Sequence, residues 1–255
     1  MFDSPKYKYV LCLSYIGTNY SGWQIQNNAD SIQGSIMNAI NHIIDDSISL
    51  IVGAGRTDSG VHAYEFFAHF EYHSVINTEE ITYRLNAFLP KDIVIHRIQS
   101  ISFDFHARFS ALSRKYEYWI SQSKNPFLIN RAYFFYKNLN LEIMNKGANM
   151  LVGEKNYISF SKSQPINPIC NIKSAFWFKS KNMLVFSIEA DRFLHNMVRC
   201  IVGTLINLGL QKIDLDDLQM IINSNERSKA GYSAPAEGLY LMSVQYPKKF
   251  QIESI

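Results

Sequence analysis

The chain has 255 residues, 47% of them hydrophobic, enough for one large or two modest domains with full cores and no need of covalent staples. Its three cysteines, Cys12, Cys170 and Cys200, are odd in number, far apart and without a C-x-x-C pair, so composition argues against a disulfide framework or a thiolate zinc site and for a reducing compartment. Net charge is only +3, no apolar run reaches the roughly 18 residues of a membrane span, and the opening Met1-Phe2-Asp3-Ser4-Pro5-Lys6 lacks the apolar stretch of a signal peptide, so a soluble cytoplasmic protein is expected.

Tyr7 to Tyr15 predicts a strand. Asp30 with Gln33 resembles a capping box, and Ile32, Ile36, Ile40 and Ile43 follow at helical spacing, predicting a helix from about residue 31 to 45. Ile48 to Val52 and Phe66 to Phe70 are short, β-branched or aromatic and bounded by turn formers, and both read as strands. Thr78 can cap a second helix carrying Ile81, Leu85 and Phe88, which Pro90 ends before a strand at Ile93 to Ile98. The order is βαββαβ. The second half repeats that plan, with a strand at Lys115 to Ser121, a helix at Leu141 to Val152 closed by Gly153, and strands at Ile172 to Phe178 and Met183 to Ala190. A heavily apolar helix from about Leu194 to Leu208 and a strand at Leu239 to Tyr246 complete it. The expected class is α+β: two tandem βαββαβ-like domains with mixed, mainly antiparallel sheets side by side, helices on one side and an exposed face or cleft on the other. The first domain is residues 1–105 and the second 106–255.

The candidate chemistry centres on Gly53-Ala54-Gly55-Arg56-Thr57-Asp58-Ser59-Gly60-Val61-His62-Ala63, which sets a carboxylate in a glycine-flanked loop at a strand end, two residues after an arginine. This describes an anion-handling loop with an acid at its centre, against the simpler reading of Asp-Ser-Gly as turn chemistry. An aspartic protease needs two such carboxylates, and no second Asp-Ser-Gly or Asp-Thr-Gly exists. Gly53-x-Gly55 does not open a dinucleotide fingerprint, because Asp58 holds the third glycine position and a strand pattern follows. His69, Glu71 and His73 alternate on one strand face; with no further ligand at a characteristic spacing, a solvated face is preferred to a metal site.

Arg199 lies among apolar neighbours in Phe193 to Gly203, so its guanidinium must snorkel to water or meet a carboxylate, for which Asp58 is a fitting partner. Tyr116 shares a strand face with Tyr118 and Ile120, and is read either as core or as a phenol able to stack on a base and carry a proton. From Phe105 to Arg131 the cations Arg108, Arg114, Lys115, Lys124 and Arg131 face the single acid Glu117 and interleave with Phe105, Phe109, Tyr116, Tyr118 and Trp119. That mixture suits a phosphate-rich partner with unpaired bases, its alternative being a solvated strand face.

Together these segments resemble one family, the tRNA pseudouridine synthases of the A type. Gly22 to Gln26, Gly55 to Ala63, Asn86 to Pro90, His106 to Ala111, Arg114 to Tyr118, Phe193 to Gly203 and Ala236 to Leu241 match its signatures in order. The resemblance implies two domains forming a basic cleft, and isomerisation of uridine to pseudouridine at positions 38, 39 and 40 of the tRNA anticodon arm, with no metal and no cofactor. It implies that Asp58 is the essential carboxylate, attacking C1′ or C6 or working by a glycal route, that Tyr116 packs on the uracil, and that Arg199 pairs with the carboxylate. By the same likeness Arg56 fills the space of a flipped base and Leu239 lines the uracil pocket. Arg108, Arg114 and Lys115 are expected to contact the tRNA, and a homodimer to hold it. Ser59 departs from the family, where alanine is more usual, and the net charge is lower than such an enzyme leads one to expect. The alternative is a tRNA-binding protein of the same fold without catalysis, which would be free to lose Asp58, Tyr116 and Arg199.

Overall fold

The computed structural model of the protein describes residues 7–44, 48–253 and 255. The signal-peptide reading of residues 1–6 and the expected end of the first helix at residue 45 lie outside them. Among the described residues there are five α-helices and ten strands, and no helix is long and apolar enough to cross a membrane. By packing, the chain divides into two compact units, one of residues up to Leu112 together with Leu241–Ile255, the other Ser113–Tyr240.

The first unit runs β1 (Tyr7–Tyr15), α1 (Ile32–Ile43), β2 (Val52–Gly53), β3 (His62–Tyr72), α2 (Thr78–Phe88) and β4 (Ile93–Ile101), the anticipated βαββαβ order. β1 is central and antiparallel to both neighbours, with Leu11 opposite Ala68 of β3 and Ile98 of β4. Ile32, Ile36, Ala39, Ile40 and Ile43 of α1 are buried, as their spacing requires. The cap of α1 is Ser31, whose hydroxyl accepts from Gly34 N, and not Asp30. Gln33 is committed elsewhere: its amide is buried, accepting from Ile25 N at 2.9 Å and donating to Ile51 O at 2.7 Å. That second bond also shows why Ile48 to Val52 is not the strand its composition predicts. A side chain takes the Ile51 carbonyl, and only Val52 and Gly53 pair with β3. In α2 the capping oxygen belongs to Asn77, which accepts from Glu80 N at 3.2 Å, and Thr78 is already helical.

The second unit runs β5 (Ser113–Ser121), β6 (Tyr133–Phe134), α3 (Leu141–Met150), β7 (Gly153–Asn156), β8 (Ile169–Ser180), β9 (Met183–Ala190), α4 (Met197–Gly209) and α5 (Leu215–Ser224). Its strands lie in the order β5-β9-β8-β7, all antiparallel, with β6 parallel to β5. The sequence did not signal α5, although Asp214 and Asp217 form a reciprocal capping box at its start. α3 packs closely on α4 and α5 at Gly147, where an added methyl would meet Leu205, Leu208 and Leu218.

The last strand, β10 (Leu239–Gln245), leads the chain back to the first unit, beside β3. Residues 106–112 belong there too. Leu112 N bonds Gln245 O at 2.7 Å, Tyr246 donates its hydroxyl to Ala107 O at 2.6 Å, and the Phe105 and Tyr246 rings lie 5.1 Å apart.

Candidate active site

Asp58 occupies the loop between β2 and β3, half-buried, between exposed Arg56 and exposed Ser59. The loop is held at successive backbone groups. Asp58 O accepts from Val61 N at 3.2 Å, closing a turn whose third residue, Gly60, has φ +79°, the left-handed value that a type II turn places on glycine. The segment before α1 supplies the rest. Trp23 N donates to Thr57 O, Gly60 N to Tyr20 O, and the Ser59 hydroxyl to Tyr20 O at 3.1 Å, while the Tyr15 and Thr57 hydroxyls meet at 2.8 Å. Gly22 makes this approach possible. At φ +102° it brings its Cα so near the loop that an added methyl would stand 2.3 Å from Thr57 O and 3.0 Å from Asp58 C. The buried Trp23 ring stacks on Phe66 of β3 at 4.2 Å, anchoring the supporting segment. Tyr20 is fixed in turn by its hydroxyl, which donates to Asp92 Oδ1 at 2.7 Å. The Thr57 and Asp58 carbonyls and the Gly60 amide are thus all bonded, so the loop that carries the carboxylate is held in place by its own backbone.

In the second unit, Tyr116 stands on β5 at the half-buried end of a face that continues through the fully buried Tyr118 and Ile120, and its ring meets Phe193 edge-on at 5.1 Å. The core reading of that face therefore holds for Tyr118 and Ile120, while the Tyr116 ring is left half-buried at its end. Arg199 lies in the first turn of α4, where it and Asn207 alone among the helical residues are not buried. Its Nε donates to Ala234 O at 2.7 Å, a backbone partner that the sequence could not reveal. Asn196 caps the helix in the left-handed region, φ +63°, with its side-chain amide turned to Cys200 Sγ and Ser233 Oγ. Leu239, buried at the start of β10, follows Gly238, which packs on the Tyr118 ring.

The basic residues divide. Arg108 is exposed, with its guanidinium 5.6 Å from the centre of the exposed Phe109 ring. The same ring lies 4.4 Å from His106, whose Nδ1 accepts from the backbone amides of Arg108 and Phe109. Arg114 donates to Asp191 O at 2.8 Å, and Lys115 lies 3.9 Å from Glu117 on the opposite strand face from Tyr116. The preference for a solvated face at His69 is overturned. Only 5% of its surface is exposed, Nδ1 accepts from Ala107 N at 3.2 Å, and its ring packs on Phe105 and His106. Burial, then the charges of Lys8 and His106, push the His69 imidazole down to about 4.

Comparison with known proteins places these residues in a family. The sequence model of a family described as tRNA pseudouridine synthase matches residues 11–110 and 148–247, one stretch in each half of the chain. A protein named tRNA pseudouridine synthase A from Porphyromonas gingivalis is 44% identical over 246 residues, spanning 94% of this chain and 97% of its own. Proteins of the same name from Bacteroides thetaiotaomicron and Acetivibrio thermocellus are each 41% identical, over 94% and 92% of this chain and 91% and 98% of their own. The Asp58 loop and the Arg199 helix both fall inside the matched stretches, and the chain belongs to the tRNA pseudouridine synthase family.

Proposed function

We propose that this protein converts uridine to pseudouridine at positions 38, 39 and 40 of the tRNA anticodon stem-loop, with Asp58 as the carboxylate on which cleavage of the glycosidic bond depends. The observation that carries the reading is the Asp58 loop itself: an acid in a family-matched segment, half-buried, with its backbone tied down by Tyr20, Trp23 and Val61. The reaction breaks the bond from N1 to C1′, turns the uracil while it is held, and forms the bond from C5 to C1′. Atoms balance without an external reactant, so side chains suffice. Attack by Asp58 on C1′, attack on C6 and a glycal route share the requirement for a fixed carboxylate.

The remaining residues take the roles that their chemistry suits. Tyr116 packs on the uracil and its phenol handles the C5 proton; Arg199 balances the charge of Asp58; Leu239 keeps water from the ring. The target nucleoside must leave its stack, at a cost of about a few kcal/mol, and the planar cation of Arg56 suits the vacated space beside phosphates. Arg108, Arg114 and Lys115 contribute to tRNA binding, and the protein works as a cytoplasmic homodimer.

The test is tritium release from tRNA carrying 5-tritiated uridine. Asp58→Asn should turn over at least about 1000-fold more slowly while tRNA binding is largely kept. Equal rates in the two proteins would remove Asp58 from the mechanism. No release from either would leave a tRNA-binding protein without catalysis.

A further inference from the structure

Two adjacent carbonyls in the stretch from Ala230 to Gly238 hold groups from two different elements. Ala234 O accepts from Arg199 Nε of α4 at 2.7 Å, and Pro235 O accepts from the Tyr118 hydroxyl of β5 at 2.7 Å. The stretch is fastened along its length. Ala234 N donates to Arg199 O at 3.0 Å, so residue 199 is gripped by both backbone and side chain. Gly231 N donates to the Thr204 hydroxyl at 2.8 Å, and Gly203 and Gly231 let the two backbones close: a methyl on Gly203 would stand 1.8 Å from Tyr232 O, and one on Gly231 2.6 Å from Thr204 N. Arg227 donates to Gly231 O at 3.0 Å and to Ser233 Oγ at 3.2 Å, securing the near end. At the far end Gly238 lies against the Tyr118 ring.

We propose that residues 230–238 are a positioning strap, in which Tyr118 acts through the Pro235–Ala234 backbone to fix the guanidinium of Arg199. The inference rests on the reading of Arg199 given above and adds a residue to it. A guanidinium on a flexible stem orients one planar fork, and a bond at Nε removes rotation about the last two torsions, leaving the two terminal nitrogens aimed in one direction. The peptide unit that accepts this bond is itself pinned one residue later by a fully buried phenol. Burial raises the Tyr118 phenol, with smaller contributions from Tyr133 and Tyr232, so it stays protonated as a donor across the working pH range. Loss of the Tyr118 hydroxyl would leave Pro235 O without this buried donor and free Ala234 O to shift, and Arg199 with it.

The experiment is a double-mutant cycle on single-turnover tritium release, with enzyme in excess over tRNA. Tyr118→Phe should lower the rate about tenfold, the kinetic equivalent of one lost hydrogen bond, and leave tRNA affinity unchanged. In an Arg199→Met background the same change should have no further effect on rate, because no guanidinium remains to be misplaced, although the melting temperature should fall equally in both backgrounds. Arg227→Ala, which loosens the near end from a half-buried surface site, should show the same masking if Tyr118→Phe folds poorly. An unchanged rate in both variants, or losses that multiply with that of Arg199→Met, would overturn the strap while leaving the role of Arg199 intact. An Arg199→Met protein as fast as wild type would overturn both.

Discussion

Gly22→Ala puts a methyl group into the backbone that supports Asp58, and the structure sets the size of its effect. The new Cβ would stand 2.3 Å from Thr57 O and 3.2 Å from Ser59 N, with φ at +102°, where alanine is strained even in open space. Left-handed strain costs about 1–2 kcal/mol and forced overlap with backbone about 1–3 kcal/mol, so a loss near 3 kcal/mol is expected. For a chain of this size that corresponds to a melting temperature lower by about 6–12 °C. Because the obstruction is the Asp58 loop itself, the methyl must push the loop away, and tritium release measured well below the melting transition should fall by about 100-fold, the scale of a 1 Å misplacement. Gly55→Ala is the matched control. It lies in the same loop, its φ is not positive, and an added methyl meets nothing within 4 Å, so its stability should stay within about 0.5 kcal/mol of wild type. Thermal melts and release rates on the two variants decide the matter. Equal destabilisation by both, or a Gly22→Ala protein with normal turnover once folded, would refute the claim that the Tyr20–Trp23 segment positions the acid.

Three other outcomes are expected. His69 is held near 4 when folded but near 6.5 when unfolded, so the unfolded chain takes the proton first as pH falls; stability should be flat above about 6.5 and decline toward 4, losing about 2 kcal/mol between pH 6.5 and 5. Urea melts should show a shallower loss in His69→Gln, and since His96 and His106 are also lowered by burial, a residual decline of the same sign should remain. Arg108→Ala should raise KM for tRNA with little change in kcat and reduce the slope of log affinity against log salt by somewhat under one; an unchanged slope would take Arg108 off the phosphate backbone. Ser59→Ala removes one of two bonds to Tyr20 O, the other coming from Gly60 N, and should cost about 0.5–1.5 kcal/mol with turnover kept; a loss of turnover in the folded variant would make the hydroxyl part of the site.

Much of this was legible in the sequence because it rests on side-chain type at a spacing. The isoleucines of α1 recur at helical intervals and are buried; Tyr7 to Tyr15 is a strand at the residues expected; Asp58 stands out as an acid between glycines at a strand end. The errors came where neighbouring side chains compete for one backbone group. Asp30 and Ser31 can both cap α1, as Asn77 and Thr78 can both cap α2, and only the path of the entering chain decides between them. Gln33 fitted a local role and took a distant one, and Ile48 to Val52 was apolar for burial and not for pairing.

What supports the candidate site was the least visible part, for a physical reason. The groups seen to brace the Asp58 loop, Arg199 and Tyr118 include the backbone carbonyls of Tyr20, Thr57, Ala234 and Pro235, which every residue type carries, so identity at those positions says almost nothing about the bond. Their trace in the sequence is the absence of a side chain where backbones touch: Gly22 against the Asp58 loop, Gly203 and Gly231 where α4 meets the strap. A catalytic residue is read from what it has, and its support from what a neighbour lacks. It follows that alanine at Gly22 or Gly231 should damage turnover by displacing a group that neither residue touches with its own side chain, whereas alanine at Gly55, where there is room, should leave the fold as it is.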